Sequence, residues 1–123
     1  MKKFSNYSFT FGAYIRDLRI KNEIGQRELA KKVGLAASYL NDIEKDKRSA
    51  PKNQVIKKIS DILKADLNIL NDLAGNSKKS LPPDIIDFVE KNPKVISLIR
   101  SLKNNNLNDD ELEKIEFKIL LSL

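Results

Sequence analysis

Apolar residues recur at helical spacing along almost the whole chain. The first clear run, at positions i, i+3, i+4 and i+7, consists of Phe11, Tyr14, Ile15 and Leu18. This period is that of one face of an α-helix, and Thr10 stands before the run as an N-cap residue. We find no convincing strand pattern, because apolar and polar residues nowhere follow a sustained two-residue period. The pattern predicts an all-α protein.

The first 75 residues predict five short helices. After the helix that begins near Phe11, the apolar spacing predicts helices over Gln26–Val33, Ala37–Lys45 and about Lys52–Leu63, and a fifth carrying Leu67, Leu70 and Leu73. Gly34 is expected to end the second helix, because glycine readily adopts the left-handed conformation common after a helix. Gly75 is expected to close the fifth helix in the same way.

The remaining residues predict a linker and three more helices. Residues 76–81 are polar and have no apolar period, as is typical of a linker. A sixth helix is predicted over about Pro83–Lys91 and a seventh after Pro93, and Asn108 with Glu111 forms a capping box that opens an eighth. The predicted division is therefore a domain at 8–75, a linker at 76–81 and a helical domain at 82–123.

Charge is distributed unevenly along the 123 residues. The net charge is +6. Residues 1–74 carry 15 Lys and Arg against 9 Asp and Glu, whereas residues 75–123 carry 8 of each. A basic half joined to a neutral half suggests that the first half faces a polyanion.

The composition argues against several classes of protein. The chain has no cysteine and no histidine, which excludes disulfides, Cys/His zinc sites and a histidine base. Without these residues, a glycine-rich phosphate loop or clustered carboxylates, we expect no enzyme and no cofactor. No apolar run is long enough for a signal peptide or a membrane span, so the predicted location is the cytoplasm.

The second and third predicted helices, with the glycine between them, have the pattern of a helix-turn-helix. Ala30 is small enough for the third helix to cross at close range, and Gly34 makes the turn. Leu40 and Ile43 are expected to hold the third helix on the core. The small and polar side chains on the opposite face of the third helix stay exposed for contact with another molecule.

This segment, GQRELAKKVGLAASYLNDIEKDKRSAP, resembles the helix-turn-helix domain of the Cro/C1 (Xre) family of phage and bacterial regulators. The matching features are Gln26, the Leu-Ala pair, the turn glycine, a run ending in Glu44, and Pro51. The resemblance covers residues 8–75. It implies a five-helix lambda-repressor-like fold, double-stranded operator DNA as ligand, and usually a homodimer.

The resemblance also implies roles for individual residues. Gln26 matches a residue that contacts phosphate, and Tyr39 matches one that often touches the DNA backbone. Arg19 and Glu44 match an inward-facing ion pair. The positions that face base edges in the major groove are Ala37, Ser38, Asn41 and Asp42.

The side chains themselves fit this reading. Ala37 can touch a thymine methyl, Ser38 can bond to several bases, and Asn41 can bond bidentately to adenine. Asp42 can only accept a hydrogen bond, as from a cytosine amino group. The cations expected to contact phosphate are Arg27, Lys45, Lys47, Arg48 and Lys52, with Lys31 and Lys32 nearby.

The eighth helix carries two apolar stripes where one would suffice for packing within the chain. We expect one stripe to pack on the sixth and seventh helices and the other to meet a second copy of the chain. The residues predicted for this dimer interface are Leu112, Ile115, Phe117, Ile119, Leu120 and Leu121.

An alternative function stays open for the C-terminal half. The chain could be an antitoxin or immunity-type regulator whose C-terminal half binds a partner protein such as a toxin. In the related version, a partner metallopeptidase cuts that half, and the apolar segment around Arg100 is the candidate cut site. A neighbouring gene for a toxin or an HExxH protein would distinguish these alternatives.

Overall fold

A computed structural model describes residues 7–122, and within that range the chain forms eight α-helices and no strand. In chain order they are α1 Phe11–Lys21, α2 Gln26–Val33, α3 Ala37–Glu44, α4 Asn53–Leu63, α5 Leu67–Lys78, α6 Pro83–Lys91, α7 Pro93–Asn104 and α8 Asp109–Leu121. The predicted all-α class is confirmed.

Most helix ends follow the predicted signals. The Thr10 hydroxyl accepts a hydrogen bond from the Ala13 N–H at the start of α1. Gly34 ends α2 with φ 78°, in the left-handed region. Asn108 and Glu111 form both hydrogen bonds of the capping box at the start of α8. Side chains and glycine therefore set these boundaries locally.

The prediction that Gly75 closes α5 is wrong. The helix continues through Gly75 to Lys78, and the left-handed residue that follows is Lys79, with φ 53°. Gly75 is buried, and an added Cβ would lie 2.9 Å from the backbone oxygen of Ser80. Glycine is needed here because the chain folds back against the helix, not because the helix ends. The predicted linker thus starts inside α5.

The chain divides into two compact units, Met1–Asp87 and Phe88–Leu123. The predicted boundaries at residues 75 and 82 both fall within the first unit. The first unit contains the buried core, whose members come from α1 to α5 and the loop before α4. They are Phe11, Ile15, Leu29, Ala30, Val33, Leu40, Ile43, Ala50, Ile56, Ile59, Leu63, Leu70, Leu73 and Ala74.

A close approach between α1 and α3 fixes the position of α3. The backbone of Gly12 lies against the end of α3, so that a Cβ at this position would clash with the carbonyl oxygen of Ile43. The same Cβ would lie 2.6 Å from Oδ1 of Asp46. Only glycine has room here.

The second unit is built differently from the first. Of its described residues, 88–122, none is buried. On α8, Ile115 is half-buried, whereas the other five predicted interface residues are exposed, Leu121 to 71%. Within the second unit, most of both apolar stripes of α8 is therefore exposed. Over residues 7–122, no helix has the combined length and apolar character that crossing a membrane requires.

Candidate nucleic-acid interface

The helices α2 and α3 and the turn between them form a helix-turn-helix. Leu29, Ala30 and Val33 bury one side of α2, and Leu40 and Ile43 bury one side of α3. Leu40 and Ile43, which were predicted to hold α3 on the core, are therefore both buried. Because these side chains hold α3 by one face, the opposite face is presented outward.

Four residues at helical spacing make up this outward face. Ser38 and Lys45 are exposed, and Asn41 and Asp42 between them are half-buried. Positions i, i+3, i+4 and i+7 lie on one side of a helix, so these four side chains belong to one surface. We call Ser38, Asn41, Asp42 and Lys45 the α3 face.

Two other predicted base-reading or backbone-contacting residues are partly covered. Ala37 and Tyr39 are half-buried and pack against the core. Part of each side chain is therefore engaged within the protein. The outward surface of α3 therefore consists of the α3 face and the exposed parts of Ala37 and Tyr39.

A hydrogen-bonded network lies behind the α3 face. Arg19 donates from Nε to one carboxylate oxygen of Glu44 over 2.7 Å and from Nη2 to the other over 2.9 Å. Gln26 donates from Nε2 to Glu44 Oε1 over 3.1 Å and to Asn41 Oδ1 over 3.3 Å. The network thus connects α1, α2 and α3 and ends on a residue of the α3 face.

The predicted ion pair between Arg19 and Glu44 is confirmed. The Glu44 side chain is 1% exposed, so its charge depends on the two hydrogen bonds from Arg19. These bonds to Glu44 raise the pKa of Arg19, and burial acts in the opposite direction. Arg19 also donates from Nη1 to the carbonyl oxygen of Ile24, before α2. The pair therefore fixes where α2 starts relative to α3.

Arg48 is held by two other predicted site residues. Its guanidinium carbon lies 4.7 Å from the centre of the Tyr39 ring, and its Nε lies 3.6 Å from Oδ2 of Asp42. A guanidinium over an aromatic face makes a favourable cation–π contact. The Asp42 carboxylate is thus paired with a cation, which lowers the repulsion it would exert on a phosphate.

Lys45 of the α3 face and four exposed cations from α2 and from the loop before α4 make up what we call the basic rim. Its members are Arg27, Lys45, Lys47, Arg48 and Lys52. Exposed cations next to a helix that fits a groove supply the contacts that position a protein on phosphates. All five predicted cations are exposed, and Arg48 contacts Tyr39 and Asp42 of α3.

The loop between α3 and α4, which carries Lys47, Arg48 and Lys52, is held in place by hydrogen bonds to other segments. The sequence did not indicate these hydrogen bonds. The Thr10 hydroxyl donates to Asp46 Oδ2 over 2.8 Å, and Ser77 Oγ accepts from the Ala50 N–H over 3.1 Å. Lys78 donates from Nζ to the Pro51 carbonyl over 3.2 Å, and burial lowers the pKa of Lys78. The two α5 residues lie in the predicted linker, whose polar composition gave no sign of this role.

These elements define a helix-turn-helix protein with a polar outward face on its third helix. The helix-turn-helix family model matches residues 15–70. Over 59 residues, the chain is 37% identical to the ImmF control region 10 kDa protein of Bacillus phage phi105. That match covers 48% of this chain and 64% of the phage protein, so the chain spans just under two thirds of that relative.

Solved structures of SinR are similar to the chain as well. One, of the master regulator for biofilm formation SinR in complex with DNA, is 33% identical and covers 50% of this chain and 97% of its own, with a TM-score of 0.46. A SinR protein/SinI protein complex is 22% identical and covers 92% of this chain and 98% of its own, with a TM-score of 0.47. By the family match and the phage relative, residues 15–70 form a helix-turn-helix domain of the Cro/C1 (Xre) type.

Proposed function

We propose that the chain is a sequence-specific double-stranded DNA-binding transcription regulator, acting as a dimeric repressor, whose helix α3 enters the major groove of a palindromic operator. The observation that carries this proposal is the α3 face itself. It is polar, it lies on the surface of the first unit, and a partly buried hydrogen-bonded network supports it from behind. The solved relative in complex with DNA supports the same reading.

The dimensions and chemistry of the α3 face suit a groove. The major groove of B-DNA is about 12 Å wide and admits an α-helix. Ser38 and Asn41 offer hydrogen-bonding groups to base edges, and the basic rim offers cations to the phosphates on either side. Because no arginine or glutamine lies on the α3 face, much of the specificity falls to DNA shape and to phosphate contacts.

The test of DNA recognition is fluorescence-anisotropy binding. The full chain is titrated with DNA from upstream of its own gene and with scrambled DNA, at two salt concentrations. We expect tighter binding to the upstream DNA, weaker at high salt, and at least tenfold weaker in Ser38→Ala/Asn41→Ala, since good base contacts contribute about 1–3 kcal/mol each. Equal, weak binding to both DNAs would contradict the proposal.

The second unit offers a matched control for that experiment. Ser101→Ala/Asn104→Ala makes the same two chemical changes at exposed positions of α7. These changes should leave the affinity for the upstream DNA unchanged. If both double variants lose affinity equally, the effect does not come from the α3 face.

The second unit supports the dimer. Large apolar side chains are exposed on both α7 and α8, among them Leu98, Ile99, Phe117, Leu120 and Leu121. Apolar surface of this extent on consecutive helices is typical of a protein–protein interface. Two copies related by a twofold axis would place two α3 helices on successive major grooves, about 34 Å apart.

The dimer is tested on the full chain by sedimentation equilibrium. We expect the wild type to be a dimer and Phe117→Glu/Leu121→Glu to be a monomer with unchanged helix content and at least tenfold weaker binding to the upstream DNA. Lys58→Glu, a charge change at an exposed position of α4, serves as the control and should stay dimeric. A Phe117→Glu/Leu121→Glu protein that remains a dimer would contradict this interface.

The exposed apolar residues are also the observation that favours the alternative function. A partner protein such as a toxin could cover them in place of a second copy. A wild type that is monomeric in the same experiment would favour this reading. The metallopeptidase version has less support, because Arg100 lies inside α7, and a helical backbone must open before a protease can cut it.

A further inference from the structure

The side chain of Gln26 has no N–H left for DNA. Its amide nitrogen carries two hydrogens, and it lies 3.1 Å from Glu44 Oε1 and 3.3 Å from Asn41 Oδ1. Both hydrogens are therefore used within the protein. A phosphate oxygen only accepts hydrogen bonds, so the Gln26 side chain cannot donate to a phosphate without giving up one of these bonds.

The chemistry of Glu44 sets the direction of both bonds. Both oxygens of the Glu44 carboxylate accept from Arg19, and a carboxylate in such a pair has no hydrogen to give. The Gln26 atom that faces Glu44 must therefore be the nitrogen. Because that nitrogen also faces Asn41, the Asn41 atom on this side must be the carbonyl oxygen.

The same reasoning settles which group Asn41 offers to a ligand. With Oδ1 engaged by Gln26, the amide nitrogen of Asn41 keeps both of its hydrogens for an outside acceptor. In the major groove the acceptors are N7 and O6 of guanine, N7 of adenine and O4 of thymine. A bidentate contact to adenine also needs the Asn41 oxygen to accept from the adenine amino group, and Gln26 already uses one of the two lone pairs of that oxygen.

We propose that Gln26 is a positioning residue that holds the Asn41 amide in one orientation, so that Asn41 presents its N–H groups to a base edge. This inference rests on the proposed DNA-binding function. It departs from the two sequence-based expectations for these residues, a phosphate contact by Gln26 and a bidentate adenine contact by Asn41. Arg19 and Gln26 both donate to Glu44, and Gln26 also donates to Asn41, so a residue of α1 contributes to specificity without touching DNA.

The experiment compares sequence selection by full-length proteins from a pool of randomised duplexes. The proteins are the wild type, Asn41→Ala, Gln26→Met and the double variant. Methionine keeps the length of glutamine but lacks the amide. We expect Asn41→Ala and Gln26→Met to lose about tenfold of preference at the same base pair of each half-site. The double variant should lose no more than either single variant, since the two residues act as one reader.

The pattern of loss across sequences separates positioning from a phosphate contact. Under the inference, Gln26→Met weakens binding to the preferred sequence and leaves binding to other sequences unchanged. A uniform loss over all sequences would show that Gln26 contacts phosphate and would overturn the inference. Should Gln26→Met fail to fold, judged by circular dichroism, Gln26→Ala replaces it with the same expected outcomes.

The same experiment separates this inference from the proposed function. Enrichment of a sequence by the wild type, with that preference intact in the Gln26 variant, overturns the inference alone. No enrichment by the wild type overturns the proposed function and the inference with it.

Discussion

Arg19 binds Glu44 through two hydrogen bonds, of 2.7 and 2.9 Å, and so ties α1 to the last residue of α3. The Glu44 side chain is 1% exposed. Arg19→Met would leave the Glu44 carboxylate buried without its cation. Removing one partner of a buried pair costs about 3 kcal/mol, and we expect that decrease in the free energy of unfolding, measured by urea denaturation.

The control for this variant is an exposed ion pair. Lys32 and Glu28, one turn apart on α2, lie 3.3 Å from each other with both side chains about half exposed. Lys32→Met should lower the free energy of unfolding by no more than about 0.5 kcal/mol, because water already screens this pair. Similar losses in Arg19→Met and Lys32→Met would show that burial of Glu44 does not govern the effect.

A second prediction concerns Gly12, where α1 and α3 approach each other closely. Gly12→Ala should lower the free energy of unfolding by about 2 kcal/mol, because the new methyl group meets the backbone of Ile43, which cannot turn aside as a side chain can. Thermal unfolding followed by circular dichroism measures the loss. Gly25→Ser is the comparison, since Gly25 has open space around it and occupies an N-cap. A stable Gly12→Ala protein would contradict the close approach.

The start of α3 lacks a side-chain cap, and this leaves room for a gain in stability. Ala36 has the extended conformation of an N-cap residue, with φ −66° and ψ 143°, but no oxygen to accept from the helix. Ala36→Ser should therefore raise the free energy of unfolding by about 1 kcal/mol. Ala36→Val, which adds bulk without an oxygen, should give no gain. Equal stabilities of the serine and valine variants would rule out capping as the cause.

Asp72 on α5 makes the stability of the first unit depend on pH. Burial raises the pKa of Asp72, and the nearby carboxylates of Asp84 and Asp66 raise it further. A carboxyl group whose pKa is higher in the folded state stabilises most below its ordinary pKa of 3.8. That contribution is lost as the pH rises through the folded-state pKa.

The corresponding variant is Asp72→Asn. At pH 7 it should unfold at a higher temperature than the wild type, because it removes the cost of charging the carboxyl group. At a pH below 3.8 the two proteins should unfold together. Asp17→Asn makes the same change at an exposed position of α1 and serves as the comparison. A destabilised Asp72→Asn protein at pH 7 would contradict the sign of this effect.

Local signals in the sequence were sufficient for most of the fold. The apolar period, Thr10, Gly34 and the Asn108–Glu111 capping box each act within a few residues, so the helices they bound could be predicted. The buried positions Leu40 and Ile43 followed from the same period. The prediction for Gly75 was wrong because the sequence does not distinguish a glycine that ends a helix from a glycine that lets another part of the backbone approach closely.

The details of the site depended on contacts between distant segments. The bond from Gln26 to Asn41 joins residues 15 apart, and those from α5 to Ala50 and Pro51 join residues 27 apart. Side-chain composition does not reveal such pairings. The glycine at position 12, inside a predicted helix, was the one available hint of the contact between α1 and α3.

The most direct test of the central claim is a nuclear magnetic resonance titration of the full, 15N-labelled chain with a duplex from upstream of its own gene. We expect the amide signals of α3 and of the basic rim, including Ser38, Asn41 and Lys47, to shift as DNA is added, and those of α8 to stay in place. Shifts confined to α8, with none on α3, would contradict the claim that α3 is the DNA-reading helix.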